Sequence, residues 1–187
     1  MTEPGSDGAA RGRLEHLFAI AYDDLCRFVR RRLDDGDDVV ADTFLVAWRR
    51  LDDVPADDGE ARAWLFGTAR KLMANRRRKD ARMVAWAGID QSTPGGVTAA
   101  SDPGAAVDAR LDLGRAFATL SGGDQECLAL VAWDGLTPAQ AAGVLGISVN
   151  AFSVRLHRAR RRLRAALAEP RPAVIAAIAA RTSGSPS

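Results

Sequence analysis

The stretch Gly135-Leu-Thr-Pro-Ala-Gln-Ala-Ala-Gly-Val-Leu-Gly-Ile-Ser-Val149 decides the fold of the C-terminal half. Thr137 is a good N-cap, and Pro138 falls at the first helical position, where a missing N–H costs nothing. Ala139 to Leu145 predict a short helix, Gly146 a tight turn, and Ser148 the cap of a second helix running to about Ala168. Ala141 and Ala142 are small enough to let the two helices approach closely. In the second helix Val149, Phe152, Leu156, Ala159 and Leu163 recur at three- and four-residue steps and form an inward stripe. A short helix, a glycine turn and a longer arginine-rich helix read as helix-turn-helix.

Upstream, Ser121-Gly122-Gly123 breaks a helix that runs from about Val107 through Leu111, Leu113, Phe117 and Leu120. Ser121 is placed to cap the next helix, 122–133. Residues 83–106 change character: Gly88, Pro94, Gly95, Gly96, Pro103 and Gly104 interrupt every period, which predicts a flexible linker. Before it, three amphipathic helices share one expected core. The first spans about 12–33 with Leu14, Leu17, Phe18, Ala21, Leu25, Phe28 and Val29 inward. The second follows Asp35-Gly36-Asp37 and carries Val40, Phe44, Ala47, Trp48 and Leu51. The third runs from about Glu60 to Arg82, with Ala61, Trp64, Leu65, Thr68 and Leu72 facing in. No alternating strand stands out. The expectation is an all-α chain of two small helical domains, 10–82 and 107–168, joined by a flexible linker over 83–106 and followed by a short tail, 169–187.

Composition narrows the function. The chain has 187 residues, 47% apolar and 27% charged, enough to bury a core and too apolar for wholesale disorder. No run approaches the roughly 18 apolar residues of a membrane span, and the N-terminus has no apolar run behind a basic start, so neither a membrane helix nor a signal peptide is expected. Cys26 and Cys127 stand alone, without metal or disulfide spacing, which fits a reducing cytoplasm. His16 and His157 are isolated and no nucleophile motif accompanies them, so no enzyme chemistry and no cofactor is expected.

Charge is segregated. Eight basic residues face one acid, Asp80, between Ala61 and Arg82, and six arginines face no acid between Ser148 and Leu167. Between Asp34 and Glu60 ten acids face Arg49 and Arg50. Two basic blocks predict two polyanion contacts, and the acidic block a separate basic partner. In the 148–168 helix, Ser153, Val154, His157 and Arg158 are the expected base-edge readers; Arg155, Arg160, Arg161 and Arg162 are the expected phosphate contacts. Val154 suits a thymine methyl, and Arg158 suits guanine O6 and N7. In the third helix, Trp64 and Phe66 precede the basic stretch containing Arg76, an arrangement able to stack and hold unpaired bases.

Four stretches resemble the extracytoplasmic-function (ECF) group of bacterial RNA polymerase sigma factors. Asp35-Gly-Asp-Asp-Val-Val-Ala-Asp-Thr-Phe44 with Leu45-Val-Ala-Trp-Arg-Arg-Leu51 is similar to that family's polymerase-binding helix. Ala63-Trp-Leu-Phe-Gly-Thr-Ala-Arg70 is similar to its promoter-melting helix. Leu120-Ser-Gly-Gly-Asp-Gln-Glu126 stands where its second domain opens. Gly135 to Val149, with Arg155-Leu-His-Arg-Ala-Arg160, resembles its −35-reading motif.

The resemblance implies sigma region 2 in the first domain and sigma region 4 in the second. It implies an alternative sigma factor that binds core RNA polymerase, through the β′ clamp helices and the β flap, and directs it to promoter DNA. By position, Asp38, Ala41, Asp42, Phe44 and Trp48 would face polymerase, whereas periodicity assigns Phe44 and Trp48 to the core. The Asp52–Ala61 loop with Arg62, Trp64, Arg70, Lys71, Asn75 and Arg76 would hold a flipped −10 base, the stacking offsetting the few kcal/mol that flipping costs. The resemblance also implies an anti-sigma partner that covers both DNA-binding surfaces, since no segment of the sequence reads as an inhibitory domain. The chain departs from the family at Ala41, where glutamine is usual, at Lys71, where asparagine is frequent, and at Ser153 and Val154. Ser121-Gly-Gly replaces a proline-based cap. The competing reading is a stand-alone helix-turn-helix regulator that binds two half-sites without polymerase.

Overall fold

A computed structural model describes residues 4–87 and 107–168, in which seven α-helices and one 3-10 turn are found. Helices α1 (Pro4–Arg30), α2 (Asp37–Arg49) and α3 (Asp58–Ala87) form the first domain, with the 3-10 turn Leu51–Asp53 between α2 and α3. Leu17, Ala21, Leu25 and Phe28 of α1 meet Val40 and Ala47 of α2 and Leu65, Phe66 and Ala69 of α3 in the core. The Phe28 and Phe66 rings stack at 4.6 Å and 11°. Phe66 is thereby spent on packing and is not free to stack on a base. Gly36 precedes α2 where a Cβ would sit 2.3 Å from Val29 Cγ1, so α1 and α2 close tightly only around glycine.

Two helices are longer than their periodicity predicts. α1 begins at Pro4 instead of about residue 12, and α3 continues to Ala87 instead of Arg82. The first helix breaker after Arg82 is Gly88, so nothing in the side chains stops α3 earlier. The rest of the expected linker, 88–106, and the expected tail, 169–187, lie outside the described residues.

The second domain comprises α4 (Val107–Ala118), α5 (Gly122–Ala132), α6 (Pro138–Leu145) and α7 (Val149–Ala168). Its start signals are where local chemistry puts them. Ser121 Oγ accepts from Asp124 N at 3.2 Å. Thr137 Oγ1 accepts from Gln140 N at 3.3 Å while Thr137 N donates to Gln140 Oε1 at 3.0 Å, a complete capping box. Gly146 takes φ 67°, the left-handed turn that lets α7 cross α6, and Ser148 Oγ accepts from Ala151 N at 3.2 Å. Phe152, Leu156 and Ala159 of α7 bury against Cys127 and Leu130 of α5 and Ala141 and Ala142 of α6. Gln125 ties α5 to the end of α4, its Nε2 donating to Phe117 O at 2.9 Å and Leu120 O at 3.2 Å.

Three expected core positions are exposed. Phe18 is 46%, Trp48 43% and Val149 50% accessible. Each lies at the margin of an apolar stripe wider than a small helical core can cover: Val40, Phe44 and Ala47 fill the buried arc of α2, and Trp48 falls at its edge. Trp64 and Thr68, also read as inward, are half-buried.

The domains pack on each other. α6 lies along α3, close enough that a Cβ on Gly67 would touch the Val144 Cα at 3.8 Å.

Candidate nucleic-acid interface

Asp134, in the turn after α5, is 2% exposed. A buried carboxylate must be paired or lose its charge, and its partners come from the other domain. Arg32 Nη2 donates to Oδ2 at 2.8 Å, and Arg31 Nη2 donates to Oδ1. Arg32 also reaches Glu126 through Nε, 3.2 Å from both carboxylate oxygens, donates to Phe28 O at 2.9 Å, and lies 3.8 Å over the Phe28 ring. Arg62 Nη2 donates to the Asp134 carbonyl at 2.5 Å, and its Nε faces Asp24 Oδ2 at 2.8 Å. The end of α1 and the start of α3 are therefore latched to the end of α5.

This latch lays α6 against part of the α3 surface expected to hold −10 DNA. Trp64, Thr68 and Lys71 of α3 share a cavity of about 240 Å³ with Gln140 and Val144 of α6. Arg62 is half-buried and tied as described. Arg70 Nε stands 3.8 Å from Glu126 Oε1. Arg76 Nη1 donates to Asp38 at 2.6 and 2.8 Å, which pairs one expected −10 residue with one expected polymerase residue. Lys71 and Asn75 are exposed, Asn75 accepting from Arg78.

On α2, Ala41, Asp42 and Trp48 are exposed and Phe44 is 7% accessible. Of the two aromatics in dispute, Phe44 is in the core and Trp48 outside it. Phe44 packs 4.7 Å from the Phe18 ring, which stacks on Tyr22 at 4.4 Å. Phe18, Tyr22 and Leu45 are exposed and extend the surface around Trp48. Sequence reasoning assigned none of them to a surface; Phe18 and Tyr22, four residues apart beside the buried Leu17 and Ala21, were the available signal.

On α7, Ser153, Val154, Arg155, His157, Arg158 and Arg161 all face solvent. The Ser153 hydroxyl donates back to Val149 O at 2.9 Å, and Arg162 Nη1 donates to Asp124 Oδ2 at 2.5 Å. The helix-turn-helix thus presents its expected reading face while its other side covers α3.

Region models of the sigma-70 family match both halves: sigma-70 region 2 over residues 17–83 and sigma-70 region 4 over residues 110–163. The chain is 42% identical over 142 residues to the RNA polymerase sigma factor CnrH of Cupriavidus metallidurans, covering 71% of this chain and 73% of that protein. It is 34% identical to the ECF RNA polymerase sigma factor SigL of Mycobacterium tuberculosis, covering 87% of this chain and 94% of that one. The chain belongs to the ECF family of RNA polymerase sigma factors. It directs transcription initiation as an alternative sigma factor, and the stand-alone regulator reading is not favoured. The solved structure of CnrH with the cytosolic domain of CnrY is similar at a TM-score of 0.53 and 31% identity, covering 82% of this chain and 86% of that one. Sigma factors are regulatory proteins. Among the described residues no helix is long and apolar enough to cross a membrane, and no cluster of metal-ligating side chains occurs.

In this sigma factor the loop between α2 and α3 is fastened to α1. Arg13 Nη2 donates to Pro55 O at 2.7 Å and Ala56 O at 3.2 Å, and His16 Nε2 meets Asp58 Oδ1 at 2.9 Å. His16, read from sequence as isolated, is thus a partner of the first residue of α3. Its hydrogen bond, with Arg13 nearby, holds the Asp58 carboxyl below the usual carboxylate range. A depressed folded value means that the contact acts above the ordinary carboxylate pKa and fades as pH falls through the folded one. His16→Ala is expected to return the Asp58 titration, followed by carboxylate NMR, toward its ordinary value; an unmoved titration would assign the shift to Arg13.

Proposed function

We propose that the described arrangement is the closed form of the sigma factor and that promoter recognition requires it to open. The observation that supports this is the seating of α6 on Trp64, Thr68 and Lys71. Elements centred near −10 and −35 are about 25 base pairs apart, or ~85 Å along B-form DNA. A chain with α6 on α3 cannot contact both at once. The nineteen residues between Ala87 and Val107 reach about 65 Å when extended, and the domains add their own breadth (α7 alone is about 30 Å long), so tether and domains together span the separation.

In the open form, region 2 (10–82) docks on the β′ clamp helices of core polymerase through the α2 face bearing Asp38, Ala41, Asp42 and Trp48, with Phe44 bracing it from beneath. Arg62, Trp64, Arg70, Lys71, Asn75 and Arg76, with the Asp52–Ala61 loop, receive the flipped −10 base. Region 4 (107–168) meets the β flap and reads −35 with Ser153, Val154, His157 and Arg158, while Arg155, Arg160, Arg161 and Arg162 hold phosphates. An anti-sigma partner that grips both domains holds the closed form, by analogy with the CnrH structure that contains CnrY. The protein acts in the cytoplasm, without a cofactor and without chemistry of its own.

Two substitutions test the assignments separately. Arg158→Ala is expected to weaken −35 binding by about 1–3 kcal/mol and relax the preference at one base pair, measured by competition among single-base promoter variants. A loss uniform over all sequences would make Arg158 a phosphate contact. Asp42→Arg is expected to lower affinity for core polymerase in a pull-down titration with the helical content unchanged, because Asp42 is exposed. Unchanged affinity would remove the acidic face of α2 from the docking surface.

A further inference from the structure

Beside the latch lies a second cleft, and the meeting of Arg70, Arg77 and Arg155 there follows from neither DNA reading nor polymerase docking. It encloses about 330 Å³ between the domains. Arg32, Arg70 and Arg77 line it from the first domain, Arg155 and Glu126 from the second, and Gly122 and Gly123 form one wall. Arg32 and Glu126 are spent on each other at 3.2 Å and on the latch, which leaves three guanidinium groups, of Arg70, Arg77 and Arg155, facing no uncommitted carboxylate in the lining. Among the described residues, Arg155 has no hydrogen bond or ion pair. Arg77 has one hydrogen bond, to the Arg32 carbonyl at 2.6 Å, and Arg70 only the 3.8 Å approach to Glu126. The wall itself is the first turn of α5. A Cβ on Gly122 or Gly123 would meet nothing within 4 Å, so the backbone there is open to a ligand.

We infer that this cleft is a binding site for a small phosphate-rich anion, of the di- or triphosphate class carried by nucleotides, and that the anion clamps the sigma factor closed. Guanidinium forks match phosphate oxygens in planar, paired geometry, and a helix N-terminus adds amide donors and positive potential. The volume suits a short polyphosphate and lies at the lower end of small-molecule sites. Because both domains supply arginines, the site exists only in the closed form. A ligand that binds one state alone shifts the equilibrium toward it, by about 100-fold at a hundred times its dissociation constant. Arg70 and Arg155 belong to the expected −10 and −35 contacts, so the anion and promoter DNA compete for the same side chains. The inference rests on the closed-form reading.

The test is calorimetric titration of the full chain with inorganic tripolyphosphate, at about 0.15 M salt to screen weak surface binding, with sulfate as the control. The expected result is saturable 1:1 binding by tripolyphosphate, far tighter than by sulfate. Arg77→Ala should weaken it about 10- to 100-fold, as for loss of a charge-assisted hydrogen bond. Gly123→Asp places a carboxylate in the cleft at a position where a helix start favours one, so it should abolish binding with the fold intact. No binding by the wild-type chain, or binding unchanged in both variants, would overturn the proposal; the latter would assign the anion to the arginine run of α7. Interdomain distance measured without the anion reports separately on the closed form. A closed chain that does not bind tripolyphosphate sinks only this proposal; an open unliganded chain sinks the reading beneath it.

Discussion

Replacing Asp134 with alanine should open the chain. Both carboxylate oxygens of Asp134 take hydrogen bonds from the two residues that follow α1, and its side chain is fully buried beside Arg31 and Arg32, themselves 9% and 4% exposed at the side chain. Removing one member of a buried ion cluster strands the others in a poor dielectric, at a cost of about 3–5 kcal/mol. Within a rigid core that cost would unfold the protein. Here the arginines can recover water by domain separation, so the same free energy appears as a shift of about two to three and a half decades toward the open form. Helical content should stay at the wild-type value because each domain keeps its own core. Binding of single-stranded −10 DNA by the free sigma factor should rise, as Trp64 and Thr68 come out from under α6. Asp134→Asn, which keeps an acceptor but loses the charge, should fall between. An interdomain distance unchanged in Asp134→Ala would show that α3–α6 packing alone holds the closed form.

Phe152→Ala should have an effect of similar size through a different route. Phe152 is completely buried where α7 crosses α5 and α6, and it faces no DNA. Truncating a buried phenylalanine costs about 3–5 kcal/mol, most of what a domain this small has to spend. Region 4 should melt in the variant while region 2 stays folded. The chain should then keep its affinity for core polymerase and lose −35 binding, without any reading residue having been touched. Thermal unfolding followed by circular dichroism should show about one domain's worth of helix lost early. A single loss of all helix together would contradict two independently folding domains.

What was legible in the sequence was local. Thr137, Pro138, Gly146 and Ser148 act within a few residues of themselves, so their caps and turn can be read without knowing the rest of the fold. Ser121 behaves the same way. The latch was not legible, because Arg31 and Arg32 lie more than a hundred residues from Asp134 and nothing in a Phe-Val-Arg-Arg-Arg run distinguishes a buried guanidinium from a solvated one. For the same reason the seating of α6 on α3 was not legible, since nothing local to Gln140 or Val144 points to Trp64 and Thr68. Phe18, Trp48 and Val149 show a second limit. Periodicity finds the apolar arc of a helix, but how much of that arc a small core covers depends on its neighbours, and these residues were left outside. The exposure of Phe18 and Trp48 puts an aromatic surface on α1 and α2, beside the acidic positions already expected to face polymerase.

The central claim is that the closed chain must open to read a promoter, and the direct measurement is the distance between a dye on α1 and a dye on α7. It would be taken first on the free sigma factor and then in a transcribing complex with core polymerase and promoter DNA. Closely apposed domains are expected in the free chain, and a separation of several tens of Å in the promoter complex. Domains still apposed in a complex that initiates transcription, or already apart in the free chain, would contradict it.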